Sequence, residues 1–187
     1  MEVNVVYFEK PGQENTEKTL KLAKKRAEEL GIKTIVVAST VGDTAIRAMD
    51  VFKGFRIIVV THVTGLRQPD VQEFDEENKK IVEAKGGIIL TTTHALGGLS
   101  KAMRGHYNTY VLGEVIANAL RIFGQGIKVV CEMATMAADG GLVRTDEDII
   151  AVAGSGRGAD TAVVMKPAHT HDFFDLRIKE ILCKPRL

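Results

Sequence analysis

At 187 residues the chain is long enough to bury a full core without disulfides or metal, and one domain is expected over 1–187. Its 25 basic and 24 acidic residues give a net charge of +1, and its seven Phe and three Tyr include no Trp partner, which excludes bulk electrostatic or base-stacking contact with nucleic acid and charge-driven membrane binding. Cys131 and Cys183 are isolated, no signal peptide opens the chain and no apolar run approaches the ~20 residues that span a bilayer, so a reduced, cytoplasmic protein is expected.

Val3–Phe8 reads as a short buried strand closed by Lys10-Pro11-Gly12, and Asn15 or Thr16 can cap a helix to about Leu30. Leu20, Ala23, Ala27 and Leu30 share one helix face. Glu17–Lys21, Lys24–Glu28 and Lys25–Glu29 form i,i+4 pairs on the wet face, and Gly31 is the stop. Ile35, Val36 and Val37 are consecutive β-branched residues without alternation, as in a strand covered on both faces of a parallel sheet. Ser39 and Thr40 then offer hydroxyls, Gly42 lets a ligand approach the backbone, and Asp43 or Thr44 can cap a helix carrying Ala45, Ile46, Met49 and Phe52.

A strand over Arg56–Thr61, a polar loop over Thr64–Glu73, a helix around Asp75–Lys85 and a strand over Ile88–Thr93 follow. His94–Tyr107 reads as irregular, with Gly97, Gly98 and Gly105 flanking Ser100, Lys101 and Arg104. Asn108–Phe123 carries the most regular helical stripe: Leu112, Val115, Ile116, Ala119, Leu120 and Phe123. Ile127–Gly140 fits a strand beginning at Val129–Cys131 or a buried helix closed by Gly140-Gly141, and the helix is preferred. Ile149–Ala153 and Thr161–Lys166 are strands separated by GSGRGAD, too short for a parallel crossover, so antiparallel pairing is expected. The tail Phe173–Pro185 fits a last helix or an edge strand.

Strands alternating with helices imply a three-layer α/β/α sandwich with a mostly parallel sheet, whose ligands sit beyond the strands' C-terminal ends where strand order reverses. Ser39, Thr40, Gly42, Asp43 and Thr44 form a turn at a helix N-terminus, where free amides and the positive dipole end make a phosphate cradle. Gly154-Ser155-Gly156-Arg157-Gly158-Ala159 has the G-x-G-x-x-A spacing, but the β-branched TAVVM after it is not the helix a dinucleotide fingerprint needs. The loop is read instead as one whose amides and Arg157 close over an anion; the competing reading is a plain hairpin. Thr61, His62 and His94 stand at strand ends on the ligand edge. The histidines could contact a ring or move a proton, or simply hydrogen-bond a loop. His169-x-His171-Asp172 lacks Cys or Glu partners at metal spacing and reads as a surface loop, so no metal site is assigned. Glu132, alone in an apolar run, specifies no chemistry.

The order TIVVASTVGDTA, RIIVVTH, GIILTTT, IIAVAGS and TAVVMKPA resembles the C-terminal domain of pyruvate kinase, over roughly Thr34 to Ala168. That resemblance implies a sheet of order 3-2-1-4-5 with an antiparallel last strand. It also implies a phosphate loop at Ser39, Thr40, Gly42, Asp43 and Thr44 and a closing loop at Gly154, Ser155, Gly156, Arg157 and Gly158. Asp43 departs from the family, whose loop is basic or neutral there, and none of the catalytic barrel is represented, so kinase activity does not carry over. VVYFEKPGQENTEKTL, MAADGG, GSGRGADTAVV and KPAH further resemble a family of small stand-alone archaeal proteins that bind FMN. The implied function is binding of a small phosphorylated ligand, FMN first, by a possible homo-oligomer. The alternatives are a flavin-dependent or phosphosugar-acting enzyme and an allosteric sensor module.

Overall fold

A computed structural model describes residues 2–186. Seven strands form one sheet: β1 (Val6–Phe8), β2 (Thr34–Ala38), β3 (Arg56–Val60), β4 (Ile88–Leu90), β5 (Ile149–Ala153), β6 (Thr161–Lys166) and β7 (Arg177–Pro185). The order is β1-β7-β6-β5-β2-β3-β4. Counted from β2, the first five strands in sequence take the expected order 3-2-1-4-5, and β6 runs antiparallel to β5 as the short link requires. Two strands extend the sheet beyond that pattern. The tail is a strand, but an interior one: β7 pairs antiparallel with β6 and parallel with β1, which takes the edge. The bidentate contact from Arg26 to Glu180, both bonds 2.7 Å, ties β7 to the helix above it.

Strand alternation sorts the core into two layers. Ile35, Val37, Ile57, Val59, Ile150 and Val152 face α1 (Thr16–Leu30), α2 (Asp43–Val51) and α3 (Glu76–Ala84). Val36, Ile58, Ile149, Ala151, Val163 and Met165 face the opposite side, against α6 (Gln125–Asp139). Gly126 permits that approach, because a Cβ there would stand 2.0 Å from Thr161 Oγ1. The Glu17–Lys21, Lys24–Glu28 and Lys25–Glu29 pairs form on α1 as read. Asp75 caps α3 by accepting from the amides of Glu77 and Asn78, each at 3.0 Å.

One segment differs from expectation. Gly98–Tyr107, read as irregular, is a helix, α4, followed by α5 (Leu112–Arg121). No residue of α4 is buried, so it lacks the apolar stripe that marks a helix in sequence. It ends at Asn108 in the left-handed region (φ 49°), with Arg104 and His106 in the last turn opposing the dipole.

Candidate functional site

Strand order reverses between β2 and β5, which lie side by side and parallel, and a cleft of about 560 Å³ opens beyond their C-terminal ends. Its walls include Ser39, Thr40, Asp43 and Thr44 from the β2–α2 turn and Gly154 through Gly158 from the β5–β6 loop. Chain segments more than a hundred residues apart thus face each other across one space. His62 also lines it, joined by residues to which the sequence reading gave no place in the site: Gln13 just before α1, Thr16 at its start, Arg47, Arg67, Glu73, and Gln125 at the start of α6. Three helix N-termini therefore converge on the cleft, which favours negative charge there.

The two loops are built differently. In the β2–α2 turn, the Ser39 hydroxyl accepts from the amides of Gly42 (3.2 Å) and Ala45 (3.3 Å). Ser39 is thus a helix cap, and the amides of Asp43 and Thr44 are left without acceptors among the described residues. Gly42 is not on the cleft wall. Its φ of 112° and its position, with a would-be Cβ 2.4 Å from Asn78 Cβ, show that it is glycine for the backbone and for packing, not for ligand approach.

The glycine loop is held from below by buried Asp160. Its Oδ2 accepts from the amides of Ser155 (3.1 Å) and Gly12 (3.2 Å), while Thr161 Oγ1 donates to Oδ1 at 2.9 Å. Thr16 Oγ1 accepts from the Ala159 amide at 3.0 Å and donates to the Gln13 carbonyl at 2.7 Å. Gly158, at φ 77°, lies where a Cβ would come within 2.4 Å of Gln13 Cα. Gly156 faces open space, and the amides of Gly156, Arg157 and Gly158 have no protein acceptor among the described residues. Neither Asp160 nor Thr16 carries a sequence signature for this role, since both act across distant chain segments.

His62 Nδ1 pairs with Glu73 Oε2 at 2.7 Å, and Arg67 contacts the other Glu73 oxygen at 3.0 Å. Arg47 and Arg157 have no carboxylate partner among the described residues and stay free for an anion. Thr61 and His94 do not line the cleft. Thr61 is buried and its hydroxyl meets that of Thr91 at 2.6 Å, bracing β3 against the segment after β4. His94 Nε2 accepts from the Val63 amide at 3.3 Å, and its ring lies edge to face with His62, centroids 5.7 Å apart. Burial, with the nearby His62 and Lys128 charges, holds the His94 pKa below the usual value despite Glu132. His94 opens instead onto a second cavity near α4 and α5.

Glu132 acquires a role only in three dimensions. It accepts from the amides of Leu96 (2.9 Å) and Gly97 (3.0 Å) and forms a buried ion pair with Lys128, one helical turn away. Burial raises the cost of its charge, but Lys128, His94 and the Leu96 amide together keep its pKa below the usual carboxylate value. Cys131, on the same helix, is pushed up to about 12 by burial and is an inert core thiol. No helix among the described residues is long and apolar enough to cross a membrane.

Residues 17–165 match the family described as pyruvate kinase, alpha/beta domain. Among solved structures, the chain is similar to a pyruvate kinase from Cryptosporidium parvum, with 19% identity, 82% of this chain and 23% of that one covered, and a TM-score of 0.43. It is similar as well to Cryptosporidium parvum pyruvate kinase in complex with ADP (20% identity, 80% and 22% covered, TM-score 0.39) and to a further structure of that enzyme (21%, 77% and 21%, TM-score 0.38). The chain corresponds to less than a quarter of the length of those enzymes. The family match runs over well more than half of the 187 residues, and the chain belongs to the pyruvate kinase alpha/beta domain family.

Proposed function

We propose that the cleft binds a small phosphorylated ligand, with FMN the first candidate by resemblance. The observation that carries this reading is the meeting of two sets of unbonded amides, Asp43–Thr44 and Gly156–Gly158, with Arg47 lining the cleft from α2 and Arg157 from the facing glycine loop. These groups suit a phosphate: convergent N–H donors supply its hydrogen bonds and the two guanidiniums its counter-charge. The carboxylate of Asp43 lies at the helix start, where the dipole favours it, and its repulsion of a dianion is offset by those arginines. An organic portion has Ala38, Val41 and Val129 as apolar wall and the amides of Gln13 and Gln125 as polar partners. When bound, FMN would supply the redox chemistry; the chain's own residues bind and orient it.

Magnitudes argue for such an organic portion. Charge-assisted hydrogen bonds contribute about 1.5–3 kcal/mol each, so three give about 4.5–9 before ordering costs of several kcal/mol are subtracted. Phosphate alone is therefore expected to bind at roughly millimolar levels or weaker. The cleft volume falls in the ~300–1,000 Å³ range of small-molecule sites, leaving room for more than an ion.

The His62–Glu73 contact supports a second reading, an enzyme acting on a flavin or phosphosugar. A carboxylate on Nδ1 orients the imidazole and leaves Nε2 for proton transfer. An allosteric module is the third. The same reading places the protein in the cytoplasm, as a possible homo-oligomer of archaeal origin.

Purification followed by identification of any co-purifying small molecule, then titration with FMN and riboflavin, tests the assignment. FMN should bind at least tenfold more tightly than riboflavin, and Arg157→Gln should shrink that difference. Equal affinity for the two, or a difference indifferent to Arg157→Gln, rejects the phosphate cradle. Gly42→Asp is a poor test, because the strain at φ 112° and the clash with Asn78 would disturb the turn whatever binds there.

A further inference from the structure

Eight of the fourteen large apolar residues left exposed among the described residues fall between Leu99 and Phe123. On α5 and its C-cap, Leu112, Val115, Ala119, Ile122 and Phe123 recur at i, i+3, i+7, i+10 and i+11, one side of the helix, and all five are exposed. The two charges of α5 stand on the other side. Glu114 Oε1 pairs with Arg104 at 3.2 Å, and Arg121 donates to the side-chain oxygens of Asn118 (2.7 Å) and Gln125 (2.8 Å). On α4, Leu99, Met103 and Tyr107 follow at i, i+4 and i+8, next to the Ser100 and Arg104 positions that meet α5. Lys101 lies across that helix, where Nζ approaches the Leu66 carbonyl at 3.5 Å. Tyr110, between the helices, carries the Arg104 guanidinium 5.2 Å from its ring centroid.

We propose that this α4–α5 face is the interface of a symmetric homodimer, each copy setting its stripe against that of a second copy. Two observations select that occupant. The first is area. Residues of this size present roughly 150–250 Å² when fully exposed, and these eight are 39% to 83% exposed. Together they leave on the order of 1,000 Å² to water, more than the ~300–600 Å² of the largest apolar patch on an ordinary monomer and enough for the ~800 Å² that each partner gives to a stable interface. The second is charge. A two-fold interface opposes a surface to itself, so any charge on it meets its like. The α5 stripe carries none, and the hydroxyls of Tyr107 and Tyr110 bring polar groups to its margin. The proposal does not depend on what the cleft holds.

The test is sedimentation velocity of the full chain from about 1 to 500 µM, where mass action reveals a dimer. A monomer–dimer equilibrium should appear, with a limiting mass twice the 20.4 kDa of the chain. Leu112→Ser and Phe123→Ser should each weaken it roughly tenfold or more, as loss of a central interface contact does. Val115→Lys, which places like charges across the two-fold, should leave the chain monomeric. Denaturant unfolding of these variants, at concentrations where the native chain is monomeric, should match the native protein, which separates a lost interface from a lost fold. Ile81→Ser, an exposed apolar position on α3 in the helix layer across the sheet, should leave the dimer intact. The proposal is overturned by a chain that stays monomeric to about 500 µM, which would leave the face to another protein or to a lipid surface. It is overturned equally by open-ended association, by a dimer that survives Val115→Lys, or by one that Ile81→Ser weakens as much as Leu112→Ser.

Discussion

Helices α5 and α6 are neighbours in sequence and in space, yet they meet opposite fates. The segment that forms α5 has the more regular apolar stripe, but in the helix only Ala117 is buried; Leu112 is 70% and Val115 56% exposed. In α6, twelve of fifteen residues are buried, including Lys128 and Glu132, although its sequence reads ambiguously between helix and strand. The contrast teaches that periodicity reports a helix with two unlike faces, not its burial. Between the sheet on one side and α5 on the other, α6 has no wet face to set a period. α5 packs on α6, turns Gly113 and Glu114 toward Ser100 and Arg104 of α4, and leaves much of its stripe outward.

Substitutions can break or sharpen this contrast. The largest effect is expected from Lys128→Met, which leaves the Glu132 carboxylate buried without its cation and should cost about 3–5 kcal/mol by denaturant unfolding. A cost below ~1 kcal/mol would show water reaching Glu132 and α6 less enclosed than described. Met133→Ala, emptying a fully buried position against the sheet, should cost about 2–5 kcal/mol.

A smaller effect concerns pH. His94 has a folded pKa below its ordinary 6.5, so the unfolded chain binds more protons there and stability falls as pH drops below about 6.5. Protonation also costs the bond that Nε2 accepts from the Val63 amide. Glu132 acts in the same direction: with its folded pKa under the ordinary 4.5, its contribution is complete above that value and is lost at lower pH. Thermal unfolding across pH 5–8 should show the upper loss in the native protein and a flatter profile in His94→Gln; identical profiles would remove His94 from the account. The smallest effect is expected from Leu112→Ser on α5, within about 0.5 kcal/mol of the native protein. A loss comparable to that of Met133→Ala would mean that the stripe is covered, and the contrast between the helices would collapse.

Much of the scaffold is legible in the residues. Ile35-Val36-Val37 and Ile149–Ala153 announce doubly covered strands because both faces of a central parallel strand must be apolar. The seven-residue link to Thr161 forces antiparallel pairing because no crossover fits it. α4 escaped notice because it buries nothing. The candidate site is legible in part: the turn and the glycine loop do face one cleft, but Gly42 and Thr61 stand off its wall and His94 opens elsewhere. Gly42 misleads because a glycine required by φ looks the same in sequence as one required by a ligand.

The sequence by itself determined what depends on neighbours along the chain: strand and helix identity, the helix-start chemistry of Ser39–Thr44, and the flexibility and charge of Gly154–Gly158. Only the tertiary structure decided which of these groups share a space. Asp160 and Thr16 fasten the glycine loop to the start of α1 through bonds spanning more than 140 residues, and Glu132 becomes a clamp on Leu96 and Gly97 only once α6 lies beneath them. Such long-range bonds leave no local pattern, because a side chain's partner is fixed by where the packed layers place it and not by its neighbours in sequence.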